Sequence, residues 1–236
     1  MLTKKEVLRV LIFFFIINSL VFLAVVYPKF TGKVILQQVN VSRVIDGDTF
    51  ESGQDKFRLL GLNTPEKGEL GYQEAKDFLS NLTGKQVKVE SKGKDNYGRN
   101  LAYVYYDGLV NEEILKLGLA SLYYYSKDNN YEKIKKAEAQ ARKAEIGIWK
   151  KSSKFGCVEL VSLKYEEQER CKNQEQLVLN NKCEKINAVL KDDATHIYDV
   201  TINPGIFIQN FSCIWNDEGD SVYIWDEKGL VLWYRY

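Results

Sequence analysis

The sequence predicts a mostly β protein with some helix, arranged as two compact units behind an N-terminal membrane-spanning helix. Three observations carry this. The chain has 236 residues, more than one ordinary domain of roughly 100 to 200 residues uses. Hydrophobic residues make up 45% and charged residues 28%, with three prolines, a composition that fills cores and is not that of a disordered chain. Charge is segregated, with +4 in residues 1–38, +1 in residues 39–150 and −4 in residues 151–236. These segments are the expected anchor and tether, first domain and second domain.

Val10 to Tyr27 is an 18-residue run interrupted only by Asn18 and Ser19. As a helix it reaches about 27 Å, close to a hydrocarbon core of about 30 Å. Lys4, Lys5 and Arg9 precede it and favour a cytoplasmic N-terminus, with the rest of the chain outside. The expected location is therefore the cell membrane, single-pass. The alternative is secretion after signal cleavage, although no small-x-small site precedes Pro28.

Thr31 to Asn40 reads as a tether. Strands follow around Val39, Val41 and Val44, at Phe50, over Phe57 to Leu62, Lys85 to Glu90 and Leu101 to Tyr106, separated by Asp46-Gly47-Asp48, Ser52-Gly53, Gly93 and Gly98. Four or five strands in so short a stretch suggest a small barrel. Helices are signalled at Tyr72 to Leu82, Asn111 to Leu117 and Tyr131 to Glu145, where Ile134, Ala137, Ala141 and Ala144 recur at helical spacing before Gly147. Lys150 to Gly156 is polar and aperiodic, and marks the domain boundary. Beyond it, Val158 to Tyr165, Glu175 to Asn180, Ile206 to Gln209, Ser221 to Trp225 and Leu230 to Tyr236 read as the short strands of a β-sandwich.

All four cysteines, Cys157, Cys171, Cys183 and Cys213, fall in the last third, and an even count confined to one exported unit suggests two disulfides. Of the three possible connectivities, Cys157–Cys171 with Cys183–Cys213 is the expected one. The first pair flanks a hairpin-like segment, and Cys183 follows a strand while Cys213 precedes the Trp215 turn. Asp217, Glu218 and Asp220 read as a solvated turn, with a second calcium loop as the alternative.

The single histidine, His196, removes most histidine-dependent hydrolase chemistry, including His-ligated zinc and Ser-His-Asp triads. With a net charge of +1 there is no general basic coat, so a phosphate site must be local. The chemistry-bearing residues are concentrated in VIDGDTF (Val44 to Phe50), FRLLGLNTPE (Phe57 to Glu66) and DNYGRNLAYV (Asp95 to Val104).

Together these motifs resemble the thermonuclease, or staphylococcal nuclease-like, family of calcium-dependent phosphodiesterases. The resemblance runs from about Val39 to Lys150 and continues through Gly118 to Ala120, Lys127 to Asn130 and Ala137 to Trp149. It implies a five-stranded OB-fold barrel with three helices. It also implies Ca²⁺ on Asp48, Asn63 and the Thr64 carbonyl, phosphate clamping by Arg58 and Arg99, and activation of water by Glu66. Asn63 departs from the family, which has aspartate there; a neutral amide oxygen implies weaker calcium binding.

A phosphodiester transition state gathers negative charge on oxygen, so cations aimed at it and a base for water meet the chemical need. Two guanidinium forks suit tetrahedral oxyanions. Tyr124 matches a nucleotide-stacking tyrosine of the family, Ser126 stands where a second would be, and Tyr123 and Tyr125 flank the site as further stacking candidates.

The tail's EQLVLNNKC, its Asn203-Pro204-Gly205 turn, IWNDEGDSVYIWD and final strand resemble the lamin-tail, Ig-like domain. The expected function is a membrane-tethered, externally facing nuclease, a monomer acting on single-stranded DNA and RNA to leave 3′-phosphates. A non-catalytic OB-fold nucleic-acid-binding module or an envelope adhesion protein is the alternative.

Overall fold

The computed structural model describes residues 5, 12–19, 35–123, 128–165, 175–194, 196–212, 214–216 and 219–236. They fall into two units, Met1–Leu36 and Gln37–Tyr236. In the first unit residues 12–19 are helical, and Phe13, Phe14 and Phe15 are exposed. Most of the apolar run Val10 to Tyr27 lies outside the described residues; among these, no helix is long and apolar enough to cross a membrane.

The second unit begins with a six-stranded sheet. Its strands are β1 (Gln37–Asn40), β2 (Arg43–Val44), β3 (Thr49–Ser52), β4 (Asp55–Leu59), β6 (Gln86–Lys94) and β7 (Asn100–Tyr105), and the order is β1-β6-β7-β4-β3-β2. β1 and β2 stand at opposite edges yet are joined only by Val41 and Ser42, so the sheet curls into a half-barrel. It has one strand more than expected because the first run is broken at those two residues.

Alternating side chains fill the half-barrel: Phe50 and Phe57 stack at 5.3 Å between centroids, beside Leu59, Val87, Val89 and Val104. β5 (Leu62–Asn63) pairs with β8 (Ser121–Leu122) in a separate ribbon. Helices α1 (Tyr72–Ser80), α2 (Val110–Lys116) and α3 (Tyr131–Ala144) match the expected three within a residue or two at each end. After α3, Gly147 has a φ of 60° and lies against Gly118; a Cβ on Gly147 would come 2.1 Å from the Gly118 carbonyl oxygen. Only glycine permits that backbone contact.

The tail holds two antiparallel sheets. β9 (Val158–Lys164), β10 (Glu175–Asn181) and β13 (Gly205–Phe211) form one, in the order β13-β10-β9. β11 (Ile186–Lys191), β12 (Ile197–Ile202), β14 (Ser221–Asp226) and β15 (Gly229–Arg235) form the other, in the order β12-β11-β14-β15. Leu177 and Leu179 from the first and Ile186, Leu190, Val222 and Val231 from the second share one core.

Cys157 pairs with Cys183, which overturns the expected Cys157–Cys171 and Cys183–Cys213 connectivity. The cause is strand register. β9 and β10 run antiparallel with Val158 opposite Asn181, so the residue before β9 meets the residues after β10, and Lys182 N–H donates to the Cys157 carbonyl at 2.9 Å. Cys171 and Cys213 lie outside the described residues.

The two halves of the second unit are welded together. Ala141, Ile148 and Trp149 pack with Tyr223 and Leu230 in a cluster of their own. Trp149 meets the Trp233 ring edge-on at 5.9 Å, and the Arg142 guanidinium lies 4.1 Å from the Trp233 centroid. Leu230 exchanges backbone hydrogen bonds with Lys150 and Ser152, at 2.8 and 2.9 Å. The polar segment after α3 is therefore pinned to the start of β15 through a single bridge, Lys151 to Leu230, rather than left as a loose linker.

Candidate active site

Tight packing under Asp46-Gly47-Asp48 brings the first two motifs together. A Cβ on Gly47 would come 2.8 Å from Thr64 Oγ1 and 2.7 Å from Ala75 Cβ, so the missing side chain is what lets this loop sit on Thr64. Asp48 and Thr64 are buried on either side of that contact. The Thr49–Arg58 pairing of β3 with β4 then sets Arg58 beside Asp48.

Arg58 is the hub. Its Nη1 pairs with Asp48 Oδ2, and its Nη2 donates to Asn63 Oδ1 and, at 3.3 Å, to the Leu62 carbonyl. Burial opposes its charge, but Asp48, Asp46 and Glu66 hold its pKa above the ordinary arginine value. Asp46 shows the converse. Burial first, then the neighbouring Asp48 carboxylate, push it up to about 6.

Arg99 is held by Asp95 at 2.7 Å, lies over the Tyr97 ring and donates to Thr49 Oγ1 at 3.4 Å. Thr49 in turn donates to Asp48 Oδ1 at 2.7 Å. One hydroxyl thus links the second guanidinium to the acidic pair, a role the sequence reading missed although Thr49 stands inside its first motif. Asn111 was missed as well. Its buried amide donates to the Leu60 and Ala102 carbonyls at 2.9 and 3.1 Å and accepts from Val104 N–H at 2.9 Å, fixing the chain just beyond Arg58.

Glu66 is exposed, within electrostatic reach of Arg58 and Asp46. Its backbone N–H donates to Glu69 Oε2, and the Glu69 carboxylate receives Lys191 Nζ at 2.9 and 3.2 Å. Asn63 is buried, and its Nδ2 donates to the Asp193 carbonyl and, at 3.4 Å, to that of Ala194. Residues 63 to 70 thus lie against the tail, beside a cavity of about 780 Å³ shared with Lys191, Tyr223 and Trp225. Tyr123 is half-buried on the β8 side, its N–H donating to the Gly61 carbonyl at 3.0 Å; Tyr124 and Tyr125 lie outside the described residues.

Among the described residues no three His, Cys, Asp or Glu side chains converge as a ready metal cluster. Around Asp48 the neighbouring Asp46 carboxylate is crowded against it, while Asp48 itself is engaged by the Arg58 guanidinium and the Thr49 hydroxyl. Asp220 is no solvated turn. It is fully buried, accepting N–H groups of Asp193 at 2.9 Å, Ser221 at 2.7 Å and Asn216 at 3.1 Å.

A family model described as "Staphylococcal nuclease homologue" matches residues 56–151. The thermonuclease of Staphylococcus hyicus is 39% identical over 128 residues, covering 48% of this chain and 76% of that protein. The thermonuclease of Staphylococcus intermedius is 36% identical over 140 residues, covering 53% of this chain and 83% of that protein. The chain belongs to the staphylococcal nuclease family. As a member it is a hydrolase of the micrococcal nuclease type. Endonuclease YncB of Bacillus subtilis, 35% identical over 144 residues and covered over 67% of its length, is a further relative. The family match ends near the join, so the tail contacts at Asn63 and Glu69 involve residues beyond it.

Proposed function

We propose that the chain is a calcium-dependent endonuclease that hydrolyses single-stranded DNA and RNA to products bearing 3′-phosphates, at the outer face of the membrane to which its N-terminal segment anchors it. The observation that carries the reaction is the half-buried Arg58 fixed by Asp48 and Asn63, with Arg99 one hydroxyl away and exposed Glu66 within its field. Arg58 and Arg99 bind the non-bridging oxygens, and their held charge offsets the charge that develops there. Glu66 takes a proton from water as its oxygen bonds to phosphorus and the bond from phosphorus to the 5′ oxygen breaks. Asp48 and the Thr64 carbonyl, with Asp46 beside Asp48, would hold calcium, which when bound polarises the phosphate; Asn63, the third expected ligand, has both ends of its amide engaged, by Arg58 and by the Asp193 carbonyl. Tyr123, with Tyr124 and Tyr125 next to it in sequence, would stack on unpaired bases.

The test is direct. The full chain should cut a labelled single-stranded oligonucleotide with Ca²⁺ and stop when a chelator is added, whereas binding without cleavage under both conditions would replace this reading with that of a binding module. The apolar run Val10 to Tyr27 supports the anchor, and the two sheets sharing one core support a lamin-tail-like domain. Protease shaving of intact cells should remove the catalytic half; its full protection would place it inside.

A further inference from the structure

The tail touches the site at two points, and both are chemically specific. Asn63 offers a side chain with one donor end and one acceptor end, and both are used: Oδ1 receives Arg58, and Nδ2 donates to the Asp193 carbonyl. An aspartate at this place could keep the first contact and would set a carboxylate oxygen against a carbonyl oxygen at the second. The second point is Lys191, whose side chain is only 8% exposed and whose ammonium lies on the Glu69 carboxylate that caps the backbone of Glu66. Burying a lysine is costly unless it is paired, so this contact is built rather than incidental.

Both points come from one stretch, residues 191 to 194, and that stretch is itself anchored. Asp193 Oδ1 accepts from the Tyr223 hydroxyl at 2.7 Å and from Arg235 at 2.9 Å, and its N–H donates to buried Asp220 at 2.9 Å. Arg235 continues into the nuclease half, donating to the Leu122 carbonyl at 2.9 Å. A rigid strut therefore runs from the half-barrel through the tail core and back to the two arms of the site.

Resting on the nuclease reading above, we infer that residues Lys191 to Ala194 of the tail are positioning residues of the nuclease, holding Arg58 through Asn63 and Glu66 through Glu69. Arg58 must meet an oxyanion and Glu66 a water at separate places, and errors of about 1 Å in such placements cost on the order of a hundredfold in rate. Asn63 is then an amide because the tail needs a donor there.

The experiment is a set of kinetic cycles in the full chain at saturating calcium. Asn63→Asp should lower kcat about tenfold and Lys191→Gln about threefold, with KM for an oligonucleotide within about twofold of wild type and far-ultraviolet circular dichroism unchanged. Because the two act through different arms, the signature lies in the backgrounds. Asn63→Asp should cost nothing further in the Arg58→Ala chain, and Lys191→Gln nothing further in the Glu66→Gln chain, as expected for residues acting through those partners. Tyr223→Phe, or Arg235→Lys if the phenylalanine variant does not fold, loosens the Asp193 strut and should leave a combination with Asn63→Asp no worse than Asn63→Asp alone. Multiplying losses in these backgrounds would mean a merely structural role and overturn the inference, as would a gain of activity in Asn63→Asp. An inactive wild-type chain would sink the nuclease reading and this inference with it, whereas active wild type with multiplying losses would overturn the inference alone.

Discussion

The nuclease half and the tail each bury a core of their own but encode it differently. In the half-barrel, chemistry and packing share residues. Gly47 is absent a side chain so that Thr64 can approach, and Thr49 and Asn111 tie Asp48 and the chain just beyond Arg58 to the sheet. In the tail, Asp193, Asp220 and Tyr223 form a buried polar network, and among the described residues Lys191 and the Asp193 and Ala194 carbonyls reach Glu69 and Asn63. The difference teaches that, on the proposal above, half of this molecule reacts and the other half aims.

The strongest way to break that division is to move the chemistry. Arg58→Ala, Arg99→Ala and Glu66→Gln should each lower turnover by about 10² or more while the fold survives, measured by initial cleavage rates and circular dichroism. Wild-type turnover in any of them would take that residue out of the reaction.

A smaller effect tests whether the halves are separable. Trp149→Ala should remove about 3 to 5 kcal/mol from a single cooperative unfolding transition, because its ring is shared by both halves. Two resolved transitions in wild-type calorimetry would show that the weld is not energetic.

Next comes the staple. Cys157→Ser should cost about 2 to 4 kcal/mol by freeing a loop closed across a sequence separation of 26. Peptide mapping without reduction should recover Cys157 linked to Cys183, and a Cys157–Cys171 peptide would restore the connectivity the structure overturned.

The smallest effect is in pH. Burial and then the nearby Asp193 carboxylate raise Asp220 from an ordinary 3.8 to about 6, and burial also raises Asp192, although its contact with His196 opposes this. A raised carboxylate binds its proton more tightly when folded, so its contribution is complete below about 3.8 and is lost as pH climbs through about 6. Asp46, raised to about 6 by burial and by Asp48, adds to this fall, whereas Asp95, whose burial is outweighed by its bonds from Arg99, is lowered and changes only below about 3.8, outside that window. Denaturant midpoints between pH 4 and 7 check it, and Asp220→Asn should flatten the slope.

What could be read in the sequence follows the range of the interactions. Asp48, Arg58, Glu66 and Arg99 were legible because three local motifs carry them, and the three helices because their apolar spacing is local too. β11 and β12 were legible and overlooked: Ile186, Ala188 and Leu190 alternate with exposed or half-buried residues as a one-sided strand should. Other features depend on pairings that spacing does not encode. Asn63 meets Asp193 at a separation of 130 residues, so its amide read only as a defect in a metal site. The Cys157–Cys183 bond follows from the register of β9 on β10, and the join at Lys150 to Gly156 read as a polar gap because its partner is β15.

That join has a consequence for how the chain could be altered or inherited. A flexible connector tolerates lengthening, since a longer loop loses only a little closure entropy. A segment hydrogen-bonded in register to β15, with Trp149 seated immediately before it, has no such slack. One residue inserted between Trp149 and Ser152 would turn successive side chains to the opposite face and pull either the indole or the strand from its place. The halves are therefore not interchangeable cassettes. A different tail grafted onto this nuclease would have to reproduce the gauge of the joint, to the residue, before it could reach Asn63 at all.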